Sequence, residues 1–456
     1  MIFDRAAGGA AKAPLPRARA GAVRLFFSHC RRLGWACIPT CVSAFALIIL
    51  SANGGYAAEP GTPDGATLLK PRRYEFAGFP IVGGSTDIGV QFGGVATLTR
   101  FFDGALPYLW NIDLLLSASL KDDQSGFHLV QQSHVLRLDA PELFGGRARL
   151  DARATYLRTI NAGYYGLGNA TTVQPLAGET SLGRRYQYIQ QEGWLRTIAR
   201  LRTGTPVDVA LAGNLRYEAP AAYASSKLAE DLEARGGSPA VIGGPAALLG
   251  SFTAGAMIDT RDSEFVTTRG IFYQLGIAAT VGSAEEVANG EVSAVLAHYA
   301  PLGGPFVFAS RVFASFRFGR VPFYDLQTGG AFEPESLLGG DQGVRGVPIG
   351  RYAGLVKAVA NLELRSTPFP RFHIFGERFR VGTTSFLDAG RVWSDYKAIS
   401  SSDGTALGLK YGIGGGFFIQ WGEAAIFRVE AAYSPDAVSE NPGFPLGIYV
   451  SDGLMF

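Results

Sequence analysis

The chain has 456 residues, of which 60 are glycine, 31 phenylalanine and 18 tyrosine, while only 18% are charged. That density of aromatic and turn-forming residues, with few of the Glu and Lys of soluble helices, argues against a helical architecture. Residues 1 to 57 hold seven of the 41 Lys and Arg and one of the 39 Asp and Glu, so the remainder carries 34 basic and 38 acidic residues, a charge near −4 that argues against a nucleic-acid binder.

The amino terminus reads as an export signal. A basic region with Arg24, Arg31 and Arg32 precedes the apolar run CIPTCVSAFALIILSA, residues 37 to 52, and Gly55-Tyr56-Ala57 then offers small residues for cleavage. The run is close to bilayer-spanning length, which makes a retained anchor the competing reading; Pro39 and the small-residue site favour cleavage. All three cysteines, Cys30, Cys37 and Cys41, fall in this leader, which leaves no cysteine chemistry for the rest of the chain. The sequence thus divides into a signal peptide (1 to 57), a short periplasmic segment (58 to 74) and a third region, 75 to 456.

That third region alternates. In RARLDARATYLR, residues 147 to 158, Arg147, Arg149, Asp151, Arg153 and Thr155 share one face and the aliphatic residues and Tyr156 the other. LVKAVANLELR, residues 355 to 365, sets Lys357, Asn361, Glu363 and Arg365, with Val359 among them, against Val356, Ala358, Ala360, Leu362 and Leu364. Residues 425 to 433 oppose Arg428 and Glu430 to Phe427, Val429, Ala431 and Tyr433. A charged face and an apolar face with period two, repeated along a chain without a later run of about eighteen apolar residues, predict a transmembrane β-barrel. Lipid cannot satisfy an open sheet edge, so such a sheet must close.

Turn signals predict strands at 75–83, 87–101, 107–120, 127–138, 147–158, 186–202, 206–218, 251–261, 270–281, 290–300, 305–318, 352–366, 380–393, 408–419, 424–434 and 446–456. The fold class is therefore all-β: a sixteen-stranded antiparallel transmembrane barrel with both ends on one side. Links on that side are short, at 203–205, 301–304 and 420–423, and those at 159–185, 219–250 and 319–351 are long, the asymmetry of periplasmic turns and outer loops. In the second long link SSKLAEDLEARGG, residues 225 to 237, is readable as a short helix capped by Ser225 or Ser226 and stopped at Gly236, or as a hydrophilic tip.

The sixth outer link holds GGDQGVRGVPIGRYAG, residues 339 to 354, six glycines around a single Val344-Arg345-Gly346. This stretch, with Asn361-Leu362-Glu363-Leu364-Arg365 on the twelfth strand and Phe386-Leu387-Asp388-Ala389-Gly390 on the thirteenth, resembles the BamA/TamA-type surface-antigen superfamily, which includes two-partner secretion transporters. Gly163-Tyr164-Tyr165-Gly166-Leu167-Gly168-Asn169 is similar to a segment of members lacking periplasmic POTRA domains, and residues 58 to 74 are too few for one such domain. Members usually have Tyr or Phe where this chain has Val347. The resemblance implies an inward-folded sixth loop that holds the barrel's shape, beside a weak seam between first and last strands.

Counting by two puts Glu363 on the lumen face, with Asp388, Phe386 and Gly390 sharing a face of the next strand. An inward loop would carry Arg345 to one or both carboxylates, with Gly343 and Gly346 letting the backbone approach. On residue pattern alone a solvated loop charge above a wet lumen is the simpler reading; the ordered set of motifs reverses that preference. Phe456, ending the predicted last strand, resembles the signal by which bacterial barrels are recognised for assembly.

An enzyme is not expected. His128, His134, His298 and His373 lack metal-ligand spacing, no Gly-x-Ser-x-Gly elbow is present, and Gly412-Ile413-Gly414-Gly415-Gly416 lies in a strand, where backbone packing explains it. Neither metal nor other cofactor is expected. The resemblance implies insertion or translocation of proteins at the bacterial outer membrane, with membrane lipid and unfolded outer-membrane or secreted proteins as partners; a passive pore or structural barrel, and a secretion-system anchor, are the alternatives.

Overall fold

A computed structural model describes residues 72 to 456 apart from 86–87, 106–107, 124–125, 176–181, 234–238, 375–376, 397–399, 423–424 and 438–444. The predicted signal peptide and all but the last residues of the predicted periplasmic segment lie outside the described residues.

Sixteen antiparallel strands form the barrel: β1 Arg73–Ser85, β2 Gly89–Phe101, β3 Trp110–Asp123, β4 Gly126–Leu143, β5 Ala148–Gly163, β6 Gln187–Leu201, β7 Asp208–Glu218 and β8 Ala247–Asp259, then β9 Gly270–Gly282, β10 Ala288–Gly303, β11 Phe306–Arg320, β12 Val356–Ser366, β13 Glu377–Trp393, β14 Lys410–Trp421, β15 Ala425–Tyr433 and β16 Leu446–Asp452. Each pairs with its sequence neighbours, and β1 closes the sheet against β16. Two short segments, Ala221–Ala222 and Phe372–Ile374, extend the sheet at its rims.

The alternation becomes a polar inside and an apolar outside. Along β12 Lys357, Asn361, Glu363 and Arg365 are buried in the lumen, and Leu362 and Leu364 are exposed on the outer wall. Leu195, Phe252, Ile277, Val281 and Ile413 are more than half exposed there, a surface suited to acyl chains.

All sixteen predicted strands are present, with shifts at their ends that have local causes. β8 starts four residues early because Ala247 to Gly250 pair with Glu218 to Leu215, so Gly250 lies within a strand and marks no turn. β12 starts four residues late because Tyr352 and Ala353 belong to the loop; Ala353 bridges to Leu167. The last strand was expected to reach Phe456 and stops at Asp452, where Gly453 (φ +73°) turns the chain inward. The ladder closing the barrel is short: β1 meets β2 from Arg73↔Phe101 to Ser85↔Gly89, and its described pairing with β16 is Gly84↔Val450 and Ser85↔Tyr449.

The long links form one capped end. A short helix, α1 Lys227–Leu232, is present between β7 and β8, with the Ser226 hydroxyl accepting from the Ala229 N–H at 3.1 Å, and it ends before the predicted Gly236 stop. Leu228 of α1 packs with Tyr164, Tyr188, Val241, Phe323 and Tyr324, the last two from the single-turn helix α2 Phe323–Leu326.

The segment 163 to 169 ties this cap together. Tyr164 donates to Asp231 of α1 at 2.9 Å, and burial with that carboxylate holds its phenol well above the usual range, so it remains a donor. The Gly168 N–H reaches Ala353 O at 2.8 Å. Buried Asn169 donates from its backbone N–H to Asp403 at 3.1 Å and from Nδ2 to Gly408 O at 2.7 Å, both in the loop between β13 and β14. Asn169→Ala removes the side-chain hydrogen bond to Gly408 O, at a cost of about 0.5–1.5 kcal/mol for an ordinary hydrogen bond on an exposed loop carbonyl. We expect protease cleavage within residues 394 to 409 of the reconstituted barrel to rise several-fold, with the barrel itself still resisting heat.

Candidate functional site

The link between β11 and β12, residues 321 to 355, folds down into the lumen. A two-residue ladder, Thr328–Gly329 with Glu335–Ser336, starts the descent, and bonds from Val344 N to Leu337 O (3.2 Å) and from Val347 N to Val344 O (3.3 Å) close a turn around Arg345. Gly346 sits at φ +92°, a left-handed conformation that a side chain would strain. Gly343 has no positive φ; its place is set by close approach, since a Cβ there would lie 2.5 Å from Leu337 O.

An apolar side of the turn holds it to the wall. Val344 and Val347 are fully buried with Phe313, Leu337, Leu338, Tyr352, Val359 and Val392, each valine contributing roughly 1.5–3 kcal/mol. Val347 thus packs where the resembled family has an aromatic residue. Gly390 of β13 makes room for this face, because a Cβ there would meet Leu338 at 2.7 Å and Val344 at 3.2 Å.

Arg345, with no exposed surface, points from this turn into three carboxylates. Its Nε and Nη2 donate to the two oxygens of Asp388 at 2.8 and 3.0 Å, and its backbone N–H adds a third bond to Asp388 at 3.1 Å. Nη1 donates to Glu363 at 2.7 Å and to Glu430 at 3.0 Å. The guanidinium carbon lies 3.4 Å from the centre of the Phe386 ring, which stacks under it.

The surroundings close the charge. Arg365 donates to the second oxygen of Glu363 at 2.8 Å, and Arg428 lies 3.6 Å from Glu430, so three guanidinium groups face three carboxylates. Asn361 donates to Asp388 at 2.9 Å and to Gly343 O at 3.0 Å. Thr384 donates to Glu430 at 2.8 Å. Fork-and-carboxylate bonds shielded from water are the strong class of hydrogen bond, and here they join the loop to β12, β13 and β15.

The same loop grips the last strand. The Gly346 N–H donates to Tyr449 Oη at 2.9 Å, and Ser451 donates to Asp341 at 2.7 Å. These two bonds hold β16 from inside, where its ladder to β1 is short.

The predicted residues Arg345, Gly343, Val344, Gly346, Glu363, Asp388, Phe386 and Gly390 are therefore brought together. Phe456 is not on the last strand: it lies in the lumen against Arg311 and Arg365, whose guanidinium carbons are 5.3 and 4.9 Å from its ring centre. Glu430, Tyr449 and Gly412 belong to the site and were not foreseen in it. Glu430 was visible as a lumen charge on β15, but nothing in sequence spacing fixes how far an inward loop reaches around a barrel.

Comparison with known proteins agrees with this geometry. The family model described as the Omp85 superfamily domain matches residues 144–445. The structure of BamA from Haemophilus ducreyi lacking POTRA domains 1-3 superposes with a TM-score of 0.50 at 14% identity, over 84% of this chain and 70% of that one. CdiB from Escherichia coli gives 0.51 at 15% identity, over 84% of this chain and 62% of that one, so the chain spans less than two thirds of the CdiB chain. At such identities the likeness is one of fold. No curated protein matches significantly in sequence. A sixteen-stranded barrel, an inward sixth loop and a family match across more than half of the sequence lead to one assignment: the chain belongs to the Omp85 superfamily of bacterial outer-membrane β-barrels.

Proposed function

We propose that this barrel acts in the insertion or translocation of proteins at the outer membrane, with Arg345 as the anchor of a lid that braces a short terminal seam. One observation carries the reading: a fully buried arginine bound to three carboxylates on three strands, in the same loop that hydrogen-bonds β16 from inside. A static pore gains nothing from such a brace. A barrel whose first and last strands must part and rejoin needs its shape kept by something other than the ladder that opens.

Glu363 and Asp388 are the lid's acidic partners in this reading, and Phe386 and Gly390 form its seat. Unfolded outer-membrane or secreted proteins are the clients, and membrane lipid is the solvent of the outer wall. The role is one of passage and requires no catalytic chemistry. Phe456, as an assembly signal, acts before the barrel closes and is withdrawn into the lumen afterwards.

Conductance of the purified barrel in a planar bilayer tests this. A lid-closed transporter gives small, flickering currents. Large, steady currents in the native protein would sink the reading and favour a passive pore.

A further inference from the structure

We propose that the outer wall at β4 to β9 holds a site for a phosphate-bearing lipid of the outer leaflet, with Arg158 on the phosphate and a recess around Gly213 and Gly250 for an acyl chain. The site faces the membrane and is independent of what passes through the lumen.

Arg158 breaks the pattern of its strand. Counting by two along β5, the outward residues are Ala148, Leu150, Ala152, Ala154 and Tyr156, and the next is this arginine. Its partners in register are Gln132 of β4 and Gln191 of β6. The lumen arginines of the same strands are paired, Arg149 with Asp139 and Arg200 with Asp208. The Arg158 guanidinium has no hydrogen-bond or ion-pair partner among the described residues. The outward positions beside it, from Gln132 to Leu138, Gln191 to Leu201 and Val209 to Tyr217, hold no Asp or Glu. An unpaired cation on the lipid side of a barrel calls for an anion from the membrane.

Its height is that of the headgroups. Arg158 lies ten residues beyond Ala148, which starts β5 at the end with short links. That is about 33 Å along a strand and roughly 25 Å along the membrane normal at a tilt of about 40°, the full apolar band of such barrels. The row just below, His134, Tyr156, Gly193 and Tyr217, carries tyrosines of the kind that mark a membrane interface. The His134 and Tyr156 rings stack with centres 5.9 Å apart, a platform beneath the charge.

Below Gly193 the wall is recessed. A hollow of about 660 Å³, lined by Leu195, Gly213, Leu215, Gly250, Phe252 and Val281 among others, opens to the membrane. Small-molecule sites hold about 300–1,000 Å³, so this one has room for a chain. Gly213 and Gly250 make the hollow, since a Cβ on either would find nothing within 4 Å. Leu195 lies four residues down β6 from Gln191, about 13 Å along the strand. A lipid whose phosphate sits in the Arg158 fork thus runs its chain past Gly193, which has no side chain to block it, into the hollow. A guanidinium takes phosphate with two parallel bonds, and the amides of Gln132 and Gln191 are donors for the remaining oxygens.

The test titrates dioleoylphosphatidylglycerol against the detergent-solubilised full chain and counts bound lipid by native mass spectrometry. One equivalent is expected to bind at least tenfold more tightly than dioleoylglycerol, which has the chains and no phosphate. Glycerol phosphate, which has the phosphate and no chains, is expected not to compete. Arg158→Gln should weaken the phospholipid about fivefold or more and leave dioleoylglycerol unchanged, whereas Gly250→Leu should weaken both. Arg158→Lys keeps the charge and loses the fork; it is expected to fall between, and it serves if the glutamine variant does not fold. Arg320→Gln, at the exposed outer end of β11, is expected to bind as the native protein does. Competition by glycerol phosphate would make this a site for free phosphate and overturns the proposal. So do equal affinity for the two diacyl lipids, unchanged binding by Arg158→Gln and Gly250→Leu with heat-modifiable mobility retained, or an equal loss in Arg320→Gln, which marks a general attraction of the rim for anionic lipid.

Discussion

Arg345→Ala will lower the temperature at which the barrel loses its heat-modifiable form, expose residues 339 to 354 to protease, and turn a quiet lumen into a large, unstable pore. The expectation follows from what the substitution leaves behind. Asp388 would keep Asn361 as its described side-chain donor, Glu430 would keep Thr384 and distant Arg428, and Glu363 would keep Arg365. Three carboxylates would then face two guanidinium groups in a space closed to water. Removing one partner from a buried ion network costs about 3–5 kcal/mol, mostly as unpaired charge on the partners that remain. Arg345→Lys should recover little, because one ammonium cannot span the three acceptors that a planar fork reaches. Glu363→Gln should cost less than Arg345→Ala, since the amide oxygen still accepts and Asp388 and Glu430 still hold the arginine. If Arg345→Ala leaves melting, proteolysis and conductance unchanged together, the loop is ornamental and the proposed function loses its support.

The sequence made the barrel legible because a transmembrane strand has to alternate, and sixteen alternating segments between turns leave few other folds. Glu363 and Asp388 could be assigned to a face by counting alone. Glu430 could be placed on the lumen face too, but its distance from Arg345 depends on how a loop of thirty-odd residues descends, and loops carry no period to count. The end of β16 failed for a related reason. Leu454, Met455 and Phe456 have strand-like composition, yet the lumen wall of Arg311, Arg365 and Tyr299 competes with the β1 edge for them, and tertiary contact overrides local propensity. Gly250 misled in the other direction, because a glycine inside a strand and one in a turn look alike in a sequence.

Gly412→Val will unseat the lid without touching any charge. Gly412 of β14 pairs with Asp388 and faces the lumen, and the chain of the lid passes so close that a Cβ built there would lie 1.8 Å from the carbonyl oxygen of Arg345. That neighbour is backbone, so no side-chain rotation can relieve the clash; either β14 bows outward or Arg345 lifts from Asp388. Inserting methyl groups into a packed site typically costs about 1–3 kcal/mol. Here any lift of the loop also lengthens five hydrogen bonds from the side chain of Arg345 to Asp388, Glu363 and Glu430, so the loss should approach that of Arg345→Ala. Gly213→Val is the control: it lies on the outer wall of β7, where a Cβ would find nothing within 4 Å, and it should melt like the native protein. Melting, protease sensitivity of residues 339 to 354 and conductance of the two valine variants separate the cases. If Gly412→Val reproduces the Arg345→Ala behaviour, the position of the loop governs closure; if it stays quiet and stable, the lid can ride above Gly412 and charge alone sets its grip.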